Sequence, residues 1–152
     1  MCDVDVVTGE LFHFARDFEF PGFLPLDFTR IYKSGLDHEG PLGYGWMHQY
    51  ERHLILRGNQ IVLRVPDGPD LPFDIEASDG SLQNKEHRLT LTRYGEAIVI
   101  TTADQEKHIY RSVPRAPALF KLNEMRDLNG SAVFFYPLRT TSQNHLKGSP
   151  FA

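Results

Sequence analysis

The sequence is short of cysteine, of long apolar runs, of positive charge and of helical periodicity, and each shortage removes a class of protein. Among 152 residues there is one cysteine, Cys2, so no disulfide and no cysteine-based zinc site can form within a single chain. No apolar run is long enough to cross a bilayer as a helix, and membrane insertion is not expected. Residues 1–10 carry Asp3, Asp5 and Glu10 and no basic residue, so they do not form a secretory signal peptide. Export would need a route independent of such a signal, from a cytoplasmic start. With 16 Lys and Arg against 20 Asp and Glu, the formal net charge is −4, which gives no electrostatic reason for nucleic acid or an anionic membrane as partner.

What is present suits one globular domain. The hydrophobic fraction of 41% and charged fraction of 24% allow a real core. Strand-like segments recur, separated by turn signals. Val4–Val7 reads as a short strand before a Thr8-Gly9-Glu10 turn. Leu11, Phe12 and Phe14 begin a second extended segment, Asp17–Phe20 alternates, and Leu26–Lys33 alternates after Pro21-Gly22 and Pro25. Residues 34–45 read as a polar, glycine-rich loop. His48–Leu56 alternates again, and Tyr50–Val65 reads as a hairpin turning at Gly58-Asn59. Leu71–Glu76 is a short strand, 77–86 a turn-rich stretch, and Arg88–Thr102 a second hairpin. Lys107–Ser112 is a strand, and Val113–Ala118, with two prolines, an ordered crossing. Phe120–Tyr136 is a third hairpin, bulged before its Asp127–Gly130 turn. The pattern predicts an all-β architecture of antiparallel hairpins, stacked as a twisted sheet, a sandwich or a partial barrel. It expects a domain over 1–137 and a loosely ordered tail over 138–152.

The densest stretch is Gly40-Pro41-Leu42-Gly43-Tyr44-Gly45-Trp46-Met47-His48, with three glycines and the sole tryptophan. A turn pinned by a buried indole is the plainer reading. The sharper one is a ligand or interface surface for carbohydrate or peptide, with Tyr44, Trp46 and Tyr50 as stacking rings. The tripeptide Asp37-His38-Glu39 reads as a solvated loop tip, because adjacent residues of an extended loop do not converge on one metal. The seven histidines (His13, His38, His48, His53, His87, His108 and His145) form no metalloprotease or nucleophile signature. No catalytic, cofactor-binding or metal-binding residue is assigned, and no enzymatic activity is expected.

The order of the N-terminal elements carries a resemblance. Val4–Glu10, Asp17-Phe18, Pro21-Gly22, Leu24–Leu26, Arg30–Ser34 and Gly40–Trp46 follow one another as in DUF6531, the domain that precedes the repeats of bacterial RHS/YD-repeat proteins. The third hairpin, with Asp127-Leu128-Asn129-Gly130 and a strand ending in Tyr136, resembles a YD repeat, although Pro137 stands where the repeats commonly have Asp. The resemblance spans 4–136 and is strongest over 4–48.

RHS proteins are large polymorphic toxins, many exported by type VI secretion. Their repeats build a β-shell around a C-terminal toxin. The resemblance therefore implies a non-catalytic structural module at the N-terminal part of such a shell. Its partners would be the rest of the shell or a toxin region. This sequence has no long repeat array, tip domain or toxin region, so it is expected to be a fragment, a truncated product or a stand-alone relative. Unpaired sheet edges would then invite self-association.

Overall fold

A computed structural model describes residues 2–75 and 80–136. Fifteen strands follow one another: β1 (Cys2–Val4), β2 (Leu11–Phe20), β3 (Leu26–Lys33), β4 (Glu39–Gly40), β5 (Gly43–Tyr44), β6 (Trp46–His48), β7 (His53–Arg57), β8 (Gln60–Arg64), β9 (Leu71–Asp74), β10 (Ser81–Asn84), β11 (Leu89–Tyr94), β12 (Ala97–Thr101), β13 (Lys107–Val113), β14 (Ala116–Arg126) and β15 (Ala132–Phe134). Every pairing among the described residues is antiparallel. The expected all-β class is the class the chain adopts.

The large sheet runs β10-β11-β12-β13-β14-β7-β8-β9 and curls into a nearly closed barrel. At its seam the Asn84 side chain donates to the Pro72 carbonyl at 3.3 Å. The organising strand is β14. One edge pairs with β13 along its length, and the other is shared by β7 at Leu119–Lys121 and β15 at Glu124–Arg126. Alternation puts Leu54, Phe73, Leu91, Ile98, Ile100 and Tyr110 inside, each at most 1% exposed. The smaller sheet runs β1-β2-β3-β6, and β4 with β5 forms a separate short hairpin.

Several segments differ from expectation, among them the loop expected over 34–45, which contains the short β4–β5 hairpin. The strand expected over Val4–Val7 stops at Val4, because the Asp5 carboxylate accepts the N–H groups of Val7 (2.8 Å) and Thr8 (3.3 Å) and turns the chain. The alternation of His48–Leu56 is two strands in different sheets. Between them the Gln49 side chain bonds the Thr29 N–H and the Asp27 carbonyl, and the Tyr50 hydroxyl bonds that same carbonyl. Side-chain bonds replace the ladder there. The turn-rich stretch after Ala77 contains β10, whose single buried residue, Leu82, is too little for a readable period. The expected crossing over Val113–Ala118 is only a tight turn. β14 already begins at Ala116, and Pro117 sits at the register break opposite Ser112 and Val113, where ladder bonds are interrupted. The tail expected over 138–152 lies outside the described residues.

Candidate functional site

The Gly40–His48 stretch closes the smaller sheet. β3 hydrogen-bonds β2 on one side and β6 on the other, pairing Tyr32 with Trp46 and Arg30 with His48. Gly45, between β5 and β6, is buried with φ +75°. A Cβ there would lie 2.8 Å from the Tyr32 ring and 3.1 Å from the Lys33 carbonyl, so only glycine fits without strain. The Lys33 N–H donates to the Gly45 carbonyl at 2.9 Å.

Trp46 is half-buried and enclosed by three side chains. Tyr32 lies 5.3 Å away between ring centres, His13 stands edge-on at 6.2 Å, and the Arg30 guanidinium lies 5.0 Å from the indole centre. Arg30 is held by Asp17, whose Oδ1 accepts from Nη2 at 2.7 Å. That bond from Arg30 is the main cause of the depressed Asp17 pKa.

The three ring candidates stand in three settings. Tyr44 is exposed, and its hydroxyl donates to Asp37 at 3.2 Å. The nearby Asp37 charge raises the phenol pKa. Trp46 has one face under Arg30. Tyr50 turns toward the large core, 4.9 Å from Phe135 and 6.4 Å from Phe28, and its burial raises its phenol pKa. Phe28 itself stacks on His48 and on Phe18.

A carboxylate gathers two histidines beside this junction. Glu51 Oε2 is 3.1 Å from His38 Nε2, and Glu51 Oε1 lies 3.3 Å from His48 Nε2 without hydrogen-bond alignment. His48 Nδ1 accepts the Tyr50 N–H at 3.3 Å, which leaves the ring proton on Nε2, facing Glu51. Burial lowers the His48 pKa, and Glu51 opposes that shift. His38 is therefore tied down rather than a solvated loop tip. The partner, Glu51, is 13 residues away and carries no motif that sequence reasoning could have used.

A second buried polar group lies in the barrel. Arg52 Nη1 is 3.3 Å from His108 Nδ1, and His108 Nε2 is 2.6 Å from Glu106 Oε1. An arginine only donates, so His108 accepts at Nδ1 and donates from Nε2 as a neutral ring. Burial pushes its pKa down, and the Glu106 bond works against that shift. Both ring nitrogens are occupied, which is the geometry of a structural cross-link.

Among the described residues no trio of His, Cys, Asp or Glu is grouped to hold a metal. A hollow of about 200 Å³ on the outer barrel face is lined by Thr92, Tyr94, Val99, Lys107, Arg126 and others, and is smaller than ordinary ligand pockets. The built features are thus an aromatic and ionic junction and a buried polar clasp.

Residues 2–73 match the family model of DUF6531, a domain of unknown function. The matched residues take in the smaller sheet, the Gly40–His48 junction with Tyr44, Trp46 and Tyr50, and the barrel strands β7 and β8 with most of β9. Over 101 residues the chain is 31% identical to double-stranded DNA deaminase toxin A of Burkholderia cenocepacia (strain H111). The aligned part is 63% of this chain and 7% of that toxin, so the chain spans a small part of the relative's length. The His108 clasp straddles the end of the matched region, with Arg52 inside it and Glu106 and His108 beyond it, where later strands complete the barrel.

Proposed function

We propose that this chain is a non-catalytic structural module of an RHS-type polymorphic toxin, serving as the N-terminal part of a β-shell around a toxin region and carried by a type VI-like export route. The observation that carries the reading is the pairing of a DUF6531 match with similarity to a small segment of a very long toxin. An all-β barrel joined to a short sheet suits a shell element, since strands added at its edges extend the same fold. The residues also argue against deamination by this chain. Zinc deaminases of nucleobases hold their metal with a histidine and two cysteines, or three cysteines. This sequence has one cysteine.

Use of Tyr44, Trp46 and Tyr50 as a carbohydrate- or peptide-binding surface draws less support, because their contacts are with three different sets of neighbours.

Two measurements test the shell reading. The purified chain incubated with double-stranded DNA is expected to produce no deaminated base. A chimaera of the deaminase toxin in which this chain's aligned residues replace the matching segment is expected to assemble and keep its activity. DNA turnover by the isolated chain would overturn the reading, as would a chimaera that fails to assemble while the unaltered toxin does.

A further inference from the structure

We infer that the open edge of β2 is a self-complementary docking surface for a second copy of this chain. The inference goes beyond the shell reading and does not depend on it.

Among the described residues β1 covers β2 only at Leu11–His13, so Phe14–Phe20 has a strand on one side alone. This stretch is lined by exposed rings, with Phe14, Phe18 and Phe20 all above 40% exposed. An uncovered run of that length and character is a template for another strand.

The backbone parity says which residues offer their hydrogen-bonding groups. The Ser34 N–H donates to the Leu11 carbonyl, so Leu11, His13 and Ala15 face β3, and Phe14 and Arg16 face outward. The Gln49 N–H donates to the Thr29 carbonyl, so Thr29 faces β6, and Phe28 and Leu26 face β2. Phe18 and Phe20 therefore point inward, and Glu19 points outward. Between Arg16 and Phe18 the ladder skips, with Asp17 as the extra residue. A regular strand would turn residues three apart to opposite edges and opposite faces. The bulge at Asp17 instead puts Arg16 and Glu19 on one edge and one face. Their side chains meet at 3.4 Å and are 62% and 58% exposed.

This arrangement is complementary to itself about a two-fold axis normal to the sheet. When two β2 edges pair antiparallel with the axis between Asp17 and Phe18, Arg16 of each copy stands opposite Glu19 of the other. Both residues offer outward backbone groups and share a face. Ala15 then stands opposite Phe20, a methyl against a ring. Opposite charges directly across a strand pair stabilise it, and the symmetry supplies the pair twice.

The test is sedimentation of the full chain over a concentration series, for wild type, Arg16→Glu, Glu19→Arg and the double reversal. Wild type is expected to dimerise, each single reversal to raise the dissociation constant roughly tenfold, and the double reversal to restore it. Circular dichroism checks that each variant is folded. Hydrogen exchange on the unaltered protein gives a second reading, with the Phe14, Arg16 and Glu19 amides slowing as concentration rises. A wild type that stays monomeric to several hundred micromolar overturns the inference. So does a dimer indifferent to both single reversals, or one in which those three amides exchange at an unchanged rate. A monomer would leave the shell reading standing, and DNA turnover by the chain would leave the dimer standing.

Discussion

The Arg30 guanidinium lies 5.0 Å from the centre of the Trp46 indole, and Asp17 holds it there through a 2.7 Å bond to Nη2. Trp46 is the sole tryptophan, so its fluorescence reports this contact directly. Arg30→Ala is expected to uncover the indole, shifting emission to the red and raising acrylamide quenching. Arg30→Lys is expected to fall between, since lysine lacks the planar fork that both stacks and pairs with Asp17. Unchanged quenching in Arg30→Ala would show that Arg30 does not shield the ring.

The glycines of the same stretch are not equivalent. Gly45 (φ +75°) has no room for a Cβ beside Tyr32 and Lys33, whereas Gly43 (φ +96°) has open space. Gly45→Ala is expected to destabilise by about 1–3 kcal/mol, combining backbone strain with a clash. Gly43→Ala is expected to cost about 1 kcal/mol from strain alone. Urea midpoints of the two variants make the comparison, and equal losses would mean that the close approach to Tyr32 is relieved at no cost.

Strand content was legible wherever side chains alternate and turns carry glycine or asparagine, as in β7–β8 around Gly58-Asn59 and β11–β12 around Gly95. The bulge in β14 was also legible, because Leu122 and Met125 break the period, and the register shift falls between them. β10 was illegible, with one buried apolar residue. The split at Gln49–Arg52 was illegible because it depends on hydrogen bonds to Thr29 and Asp27, about 20 residues back. The two polar clusters were hidden for the same reason. His38 and Glu51 are 13 residues apart and Arg52 and His108 are 56 apart, and nothing in local spacing signals either pair. Near-closure of the barrel depends on β9 meeting β10 across its seam, a long-range outcome that alternation does not encode.

Inside the barrel, Tyr110 is fully buried and its hydroxyl has no hydrogen-bond partner among the described residues. Burial pushes that phenol pKa far up. An unpaired buried hydroxyl costs about 1–3 kcal/mol. Tyr110→Phe is therefore expected to leave stability unchanged or to raise it, while Leu54→Ala, at an equally buried site, should lose about 2–5 kcal/mol. Phe23→Ser, at a position 92% exposed, is expected to change stability by less than about 0.5 kcal/mol. Urea unfolding of the three variants checks the order, and a marked loss in Tyr110→Phe would reveal a partner for the hydroxyl.

His108 makes stability depend on pH in a defined direction. Burial lowers its pKa in the folded protein, with Arg52 adding to that shift and Glu106 opposing it. Burial lowers the values of His48 and His53 as well. Above the unfolded-state value of about 6.5 the rings are neutral in both states, and the shifts cost nothing. As the pH falls below 6.5, the unfolded chain takes up protons that the folded protein refuses, so stability drops. The carboxylates with depressed values, Asp17 and Asp27, act in the same direction but only at lower pH, below the ordinary carboxylate value of about 4. The urea midpoint is thus expected to be flat above neutrality and to decline between roughly pH 6.5 and 5. In His108→Gln an amide can accept from Arg52 and donate to Glu106 without titrating, so this decline should become shallower, with His48 and His53 supplying what remains. A midpoint that rises on acidification would show that the Arg52–His108–Glu106 clasp holds a charged ring rather than a neutral one, and an identical slope in His108→Gln would show that folding leaves the His108 pKa unshifted.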